Sequence, residues 1–393
     1  MRRAFLLLIL LHGLVHLVGF AAAFRGAELS QLTGPVPRGA GVAWLIAGLA
    51  LLGTALLLAT DSRLWWAAGC GAVLLSQLLV LSSWGDAWPA TLPNAAILAG
   101  VAYGFASRGP PSFRAEYRRR VRARLARPPS APLVTEEDMG PLPEPVRRYV
   151  RLSGAVGLPR VHHFAASWRG RIRAGPRDPW MTFTAEQHDF VDEPARFFHM
   201  DATRSGLPVD VFHAFHGRSS ASMRVRLLSL VPLVSVGGPE LRRAETVTFF
   251  NDLCLLAPAA LTDAAIRWEP VDRYTVRGHY SAGSETVSAV LSFGAGGELV
   301  DFVSEDRLVA SPEGALTPQR WSTPVRDYRS FGPRRAATRG EGRWHPPEGE
   351  YVYLEIELLD LRFDAGADSV RRSAGGLPPP SGISGGARKR SRL

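Results

Sequence analysis

The chain has 393 residues and a formal net charge of +10, which is divided unevenly along its length. Residues 1–132 hold 13 arginines and 4 acidic residues, whereas residues 133–364 hold 27 basic and 31 acidic residues. A large region with a slight acidic excess offers no phosphate-binding field, which excludes nucleic acid as a partner.

The first 107 residues contain four apolar segments without charge, with approximate bounds of 4–24, 39–60, 64–84 and 87–107. Each has about the length at which a helix crosses ~30 Å of hydrocarbon, so we predict a four-helix transmembrane domain over residues 1–107. Pro89, Pro93 and Asn94 make the beginning of the fourth segment the weakest. An alternative for the first segment is a cleaved signal peptide ending at Ala21-x-Ala23.

An arginine-rich juxtamembrane linker, residues 108–132, follows the fourth segment and ends in prolines. Arginines also open the chain, at Arg2 and Arg3. Because loops rich in Lys and Arg stay in the cytoplasm, this pattern predicts a multi-pass protein of the cell (inner) membrane with both termini cytoplasmic. Anionic membrane lipids are the expected neighbours of the linker.

Residues 133–364 have the pattern of a β-rich soluble domain. An amphipathic helix is predicted at Glu144–Ser153 and a second helix at Glu240–Leu255, and about ten period-two segments predict strands. The predicted strands are Val161–Ala174, Trp180–Val191, Arg196–Thr203, Pro208–His216, Ser222–Leu230, Tyr274–Tyr280, Thr286–Phe293, Leu299–Val309, Pro324–Phe331, Arg334–Arg343 and Glu350–Phe363. This order is typical of an α+β domain built on a large antiparallel sheet. The Gly-, Pro- and Ser-rich stretch 365–393 is predicted to be a disordered basic tail.

Several short stretches resemble an uncharacterised family of bacterial multi-pass membrane proteins with a C-terminal β-rich domain of unknown function. The resemblance lies in the Leu11–Phe20 stretch, in Ser76-Gln77, and in the VRRYVRLSG segment that ends at Gly154. It implies a membrane-anchored domain and names no chemistry. By analogy of architecture alone, we expect the sheet to curve like the half-barrel of bacterial lipoprotein carriers.

Two histidines, His12 and His16, are four residues apart and therefore share one face of the first apolar helix. They are candidate ligands of a metal ion or haem in a membrane redox protein. The alternative is hydrogen bonding between helices, for instance to Gln77. Because the other apolar segments contain no histidine, we favour hydrogen bonding and expect no cofactor.

Charged and aromatic side chains at several positions of the β-rich domain lie in segments otherwise suited to a core. Buried charges must be paired, so these residues are predicted to form ion pairs or to border an apolar ligand pocket. The candidate pocket residues are Glu186, Gln187, Arg196, Glu245, Trp268, Arg307 and Trp344. Further aromatic lining is expected from Trp168, Trp180, Phe198 and Trp321.

No catalytic residue is assigned, and enzymatic activity is the less favoured hypothesis. The chain contains neither a G-x-S-x-G nor an H-E-x-x-H motif. Glu355 and Glu357 share one strand face with Tyr351 and Tyr353, which suits either acid–base chemistry or a solvated surface. The preferred function is the binding of a lipid or other hydrophobic ligand at the membrane, and an interaction scaffold with an unknown protein partner is a further alternative.

Overall fold

The computed structural model describes residues 2–25, 36–125, 131–262, 265–310 and 316–366. The chain divides into two compact units, Met1–Glu116 and Tyr117–Leu393. The predicted disordered tail falls almost wholly on residues 367–393, which lie outside the described residues.

The first unit is built from helices. They are α1 (Arg2–Arg25), α2 (Arg38–Ala59), α3 (Trp65–Ser82), the short α4 (Trp84–Ala87), a 3-10 turn at Trp88–Ala90 and α5 (Thr91–Arg108). Helix α6 (Phe113–Arg124) begins in the arginine-rich segment. Small residues let α1 and α2 approach closely, since a Cβ at Gly48 would lie 3.0 Å from the backbone oxygen of Gly13.

Three of these helices are long and apolar enough to cross a membrane by length and composition, namely Arg2–Phe24, Arg38–Ala59 and Trp65–Ser82. The fourth predicted segment differs from its expected bounds, 87–107. Its first residues form α4 and the 3-10 turn, and α5 begins at Thr91. Within α5, Asn94 lowers the mean hydropathy, and α5 is not among the three candidate spans.

Charged residues meet at one end of the first unit. The Arg2 guanidinium donates to the backbone oxygen of Leu58 at 2.6 Å and lies 3.3 Å from the Asp61 carboxylate. Arg108 donates to the same carboxylate at 2.9 Å. The beginning of α1, the end of α2 and the end of α5 therefore lie at the same end of this unit.

The second unit contains sixteen strands and two longer helices among its described residues. The helices are α7 (Glu144–Leu152) and α8 (Pro239–Leu256), with 3-10 turns at Glu137–Met139 and Pro258–Thr262. The first six strands are β1 (His163–Ile172), β2 (Met181–Phe190), β3 (Ala195–Arg204), β4 (Leu207–His216), β5 (Ser220–Leu227) and β6 (Val231–Gly237). After α8 come β7 (Ile266–Pro270), β8 (Thr275–Ala282), β9 (Glu285–Phe293), β10 (Leu299–Ser304), β11 (Leu308–Ala310), β12 (Leu316–Pro318), β13 (Trp321–Ser322), β14 (Val325–Phe331), β15 (Arg334–Trp344) and β16 (Tyr351–Phe363).

Fourteen strands form one antiparallel sheet in the order β6-β5-β4-β3-β2-β1-β16-β15-β13-β10-β9-β8-β7, with β14 paired to β15. Strands β11 and β12 form a separate pair. The last strand, β16, pairs with the first, β1, from Phe164 opposite Phe363 to Ile172 opposite Leu354. This central pairing joins the two consecutive series of strands that precede and follow α8.

The sheet is curled around α8. This helix contacts β4, β5 and β6 at one end of the strand order and β9 and β10 towards the other. A flat sheet of this width could not bring both ends to one helix, so the observed contacts require a half-barrel. Phe249, Phe250 and Cys254 of α8 are fully buried, and the Tyr149 hydroxyl of α7 donates to the backbone oxygen of Cys254 at 2.9 Å.

The predicted fold class is confirmed for the second unit, and the predicted helix Glu240–Leu255 is found as Pro239–Leu256. The expected number of strands, about ten, is too low. Strands β6 and β7 were not predicted, and the predicted strand Leu299–Val309 divides into β10 and β11.

Candidate functional site

A cavity of about 300 Å³ lies between α8 and the concave side of the sheet. Most of its lining is apolar, and most of these side chains come from the central strands and from the C-terminal half of α8. The apolar lining residues are Trp168, Ile172, Phe183, Phe198, Met200, Met223, Leu255, Leu256, Trp321, Val325, Ala337, Trp344, Leu354 and Ile356.

One side of the cavity is formed by a buried ion-pair cluster, defined here as Arg196, Glu245, Asp252, Gln187 and His213. Arg196 Nε donates to Asp252 Oδ2 at 2.7 Å, and its Nη1 donates to Glu245 Oε2 at 3.4 Å. Strand β3 supplies the arginine and α8 supplies both carboxylates. Glu245 and Asp252 are seven residues apart, two helical turns, so they share the face of α8 that meets the sheet.

Glu245 is almost fully buried, with 1% of its surface exposed, yet it is held in the charged form. Burial alone would raise the pKa of Glu245, but His213, Arg196 and Arg307 more than offset this and lower it to about 2. His213 Nδ1 donates to Glu245 Oε1 at 3.1 Å. Both carboxylate oxygens are therefore engaged by donors of this chain.

Gln187 links the cluster to Asp189, which is fully buried. Its Nε2 donates to Asp252 Oδ2 at 2.7 Å and to Asp189 Oδ1 at 3.1 Å, while its Oε1 accepts from Trp168 Nε1 at 3.0 Å. Burial raises the pKa of Asp189 well above its usual value, and the nearby Asp252 carboxylate adds to the rise. The surroundings of Asp189 therefore favour its protonated form, which can donate to the Asp252 carboxylate.

A second polar corner of the cavity, the Arg307 corner, is defined by Arg307, Trp321 and Tyr353. The Arg307 guanidinium carbon lies 5.5 Å from the centroid of the Trp321 ring. Trp321 Nε1 donates to the Tyr353 hydroxyl oxygen at 3.2 Å. Arg307 Nε is buried and has no hydrogen-bond partner among the described residues.

The cavity brings together five of the seven predicted pocket residues: Gln187, Arg196, Glu245, Arg307 and Trp344. It is not lined by Glu186, because neighbouring residues of a strand point to opposite sides and Gln187 already faces inward. Trp268 is also outside the lining. Its ring lies against Phe250, with centroids 6.4 Å apart, and its Nε1 donates to the backbone oxygen of Leu261 at 3.3 Å.

Of the other aromatic residues expected to line a pocket, Trp168, Phe198 and Trp321 do so and Trp180 does not. Trp180 instead stacks with arginines of β1 and the following turn, its ring centroid lying 4.5 Å from the guanidinium carbon of Arg171 and 4.6 Å from that of Arg173. The sequence prediction missed Asp189, Asp252 and His213. Asp252 could have been found from the sequence, because it lies two helical turns from Glu245 and therefore shares its face of α8.

The two strand carboxylates weighed for acid–base chemistry are paired with arginines of β1. Arg171 donates to both oxygens of Glu355 at 2.6 and 2.7 Å. Arg169 donates to both oxygens of Glu357 at 2.9 Å or slightly more. Each carboxylate thus has a cation of its own, which is the geometry of a structural ion pair across two strands.

His12 and His16 are both buried in the first unit and hydrogen-bonded within it. His12 Nε2 donates to Asn94 Oδ1 at 2.8 Å, His16 Nδ1 donates to the backbone oxygen of His12 at 2.9 Å, and His16 Nε2 lies 2.8 Å from Ser76 Oγ. Gln77 joins this network by accepting from Asn94 Nδ2 at 3.0 Å. Among the described residues no group of three or more His, Cys, Asp or Glu side chains is arranged to hold a metal ion.

His213 and His216 point to opposite sides of β4, as their odd spacing requires. His213 faces the cavity, whereas His216 lies beside α6, where a guanidinium nitrogen of Arg120 and one of Arg124 are each 3.2 Å from a ring nitrogen. The two histidines are therefore not joint ligands of one ion.

Comparison with known proteins identifies a family. Residues 132–356 match the model of a family of unknown function, DUF6544. No curated protein matches. Among solved structures, a domain described as an outer-membrane lipoprotein-sorting protein from Vibrio parahaemolyticus is 11% identical, with a TM-score of 0.33, covering 54% of this chain and 90% of its own.

A DUF1329 family protein from Desulfovibrio piger is 14% identical, also with a TM-score of 0.33, covering 57% of this chain and 94% of its own. At this identity and TM-score, neither structure indicates what the present chain binds.

Proposed function

We propose that this chain, which belongs to the DUF6544 family of unknown function, binds a lipid or another amphiphile in the cavity of its β-rich domain. The observation that carries the proposal is the cavity itself. Small-molecule sites have volumes of about 300–1,000 Å³ and are lined mainly by apolar and aromatic side chains with a few polar groups. The present cavity has this composition and lies at the lower end of this range.

The buried ion-pair cluster supports a binding role over a purely apolar core. Its carboxylates already accept hydrogen bonds from Arg196 and His213, so an apolar ligand can lie against them without leaving a carboxylate without a partner. Most of the remaining lining offers apolar surface. A chain of methylene groups would gain about 0.8 kcal/mol for each group transferred from water to such surface.

In this proposal residues 1–107 anchor the protein in the inner membrane, 108–132 form the juxtamembrane linker, and 133–364 form the ligand-binding domain on the cytoplasmic side. Four crossings are supported by the charged end of the first unit, where Arg2 and Arg108 bind the same carboxylate of Asp61. An even number of crossings returns the chain to the side on which it began. The hydrogen bonds of Asn94 offset the cost of placing this residue in a spanning α5.

The topology predicts the result of a reporter experiment. A reporter that is active only in the cytoplasm, fused after Arg127, should be active, and one that is active only outside should be silent. Fusions placed between α1 and α2 give the reverse pattern and serve as the control. Activity of the external reporter after Arg127 would mean that α5 does not cross, and that the β-rich domain lies on the other side.

The binding site can be located with a photoreactive amphiphile. A long-chain fatty alcohol that carries a diazirine on its chain should label peptides of β3, β5 and the end of α8 in the full chain in lipid nanodiscs. Met223→Trp fills the cavity, and we expect it to reduce labelling of these peptides by about fivefold or more, since overpacking costs about 1–3 kcal/mol.

Val236→Trp is the matched control, because Val236 is the register partner of Met223 on β6 and lies outside the cavity lining. Labelling of the cavity peptides should be unchanged in this variant. Wild-type labelling confined to the membrane helices would contradict the proposed function.

A further inference from the structure

We infer that the ligand of this cavity carries a carboxylate head group, and that the Arg307 corner binds it. This inference rests on the proposed function and specifies the chemistry of the ligand. The two polar parts of the cavity differ in their hydrogen bonding. In the buried ion-pair cluster each charge has a partner, whereas in the Arg307 corner the donors outnumber the acceptors.

The Arg307 guanidinium has five N–H donors and no acceptor capacity. It makes no ion pair and donates no hydrogen bond to any described residue, and its Nε is buried. Arg307 acts electrostatically on the Glu245 carboxylate, whose two oxygens are taken by His213 and Arg196. A half-buried guanidinium over the ring of Trp321 therefore lacks the anion that would complete its hydrogen bonding.

The Tyr353 hydroxyl adds a second donor to the same corner. Its oxygen accepts from Trp321 Nε1, which leaves its own proton for an acceptor in the cavity. Burial raises the pKa of the Tyr353 hydroxyl, with nearby Arg307 opposing the rise, so the hydroxyl stays a donor at neutral pH. Trp321 thus holds the tyrosine oxygen on one side and stacks with the arginine on the other.

The other arginines that line the cavity are already paired. Arg196 binds Asp252 and Glu245, and Arg339 lies 3.5 Å from Asp327. A ligand anion would have to compete for these two, whereas at Arg307 it would displace no hydrogen-bond acceptor of the described residues. A carboxylate matches the planar fork of a guanidinium and carries the single charge that one unpaired arginine balances.

The inference is tested with three diazirine probes of equal chain length, which carry a carboxylate, an alcohol or a phosphate head group. Each labels the full chain in lipid nanodiscs at a pH at which the fatty acid is ionised. Labelling of cavity peptides is divided by labelling of the membrane helices in the same chain, which corrects for unequal partitioning into the bilayer. In the wild type we expect this ratio to be about tenfold higher for the carboxylate than for the alcohol.

Arg307→Gln should abolish the preference and leave alcohol labelling unchanged, which also shows that the cavity is intact. Tyr353→Phe should reduce carboxylate labelling several-fold with little effect on the alcohol. Arg169→Gln is the matched control, because it removes a paired arginine that lies outside the cavity lining, and it should keep the wild-type preference. If Arg307→Gln abolishes labelling by both the carboxylate and the alcohol probe, Arg307→Lys provides the test. This variant keeps the positive charge and must retain the carboxylate preference if the charge binds the head group.

Equal labelling by carboxylate and alcohol in the wild type would overturn the inference and leave the proposed function standing. A higher ratio for the phosphate than for the carboxylate would overturn the assignment of the head group. Absence of cavity labelling by all three probes would instead refute the proposed function.

Discussion

Arg196→Met should destabilise the β-rich domain by about 3–5 kcal/mol, because it leaves buried carboxylates without their cation. Arg196 is the cation that lies between Asp252 and Glu245, and both carboxylates are buried with it. Methionine keeps much of the length of the side chain, so the loss is mainly electrostatic. Hydrogen exchange of the full chain, followed by mass spectrometry of peptides from β3 and α8, measures the change in opening free energy.

Arg169→Met is the control for a generic loss of an arginine. Arg169 pairs with Glu357 in a bidentate geometry on an exposed face, and exposed pairs contribute about 0–1 kcal/mol. Adding Asp252→Asn to Arg196→Met removes one orphaned charge and should recover part of the loss. If Arg196→Met costs no more than Arg169→Met, the cluster is solvated and does not act as a buried ion-pair network.

The candidate membrane spans could be predicted from the sequence because hydropathy over about 20 residues reports directly on crossing length. The first three segments agree with the three candidate spans to within a few residues. Hydropathy alone could not decide whether the fourth apolar segment crosses a membrane. Its hydropathy is lowered by Asn94, whose hydrogen bonds to His12 and Gln77 depend on which helices pack together.

Strands with one buried face were predicted well, since alternation of apolar and polar residues marks them. Strand β6 was not predicted because it is the edge strand of the sheet, contains Pro232, and leaves Val231, Leu233 and Val236 exposed. No alternation arises where neither face is buried. Strand β13 has two residues, which is too short to show any period.

The candidate site was predicted in part because charged residues within apolar strands and helices need buried partners. This reasoning identified Gln187, Arg196 and Glu245, which the fold brings together. It also named Glu186 beside Gln187, although strand geometry allows only one of the two to face inward. The pairing itself could not be predicted, since Arg196 and Asp252 are 56 residues apart and meet only when the sheet curls around α8.

Asp189 is the residue whose removal should stabilise the domain. It is fully buried and lacks a cation of its own, since Arg196 donates to Asp252 and Glu245. Burial, reinforced by the Asp252 carboxylate, raises the pKa of Asp189 above its usual value of 3.8. The folded chain therefore holds a proton that the unfolded chain releases once the pH exceeds this usual value.

The sign of the pH dependence follows from this difference. Below the pKa that Asp189 has in the unfolded chain, Asp189 is protonated in both states, and its titration does not lower the stability of the fold. Between that value and the raised pKa of the folded chain, each pH unit lowers stability by up to about 1.4 kcal/mol. Asparagine does not titrate, and it can accept from Gln187 and donate to Asp252 in place of the protonated acid.

Asp189→Asn should accordingly raise the opening free energy of β2 and α8 at neutral pH, with a gain that grows as the pH rises and vanishes in acid. Hydrogen exchange of the full chain over a series of pH values measures it. Asp138→Asn is the control, and it should lower the opening free energy at neutral pH instead of raising it. Hydrogen bonds from the Thr135 backbone and hydroxyl lower the pKa of Asp138, outweighing burial. A gain at Asp189 that is the same at every pH would show that Asp189 is ionised in the folded protein.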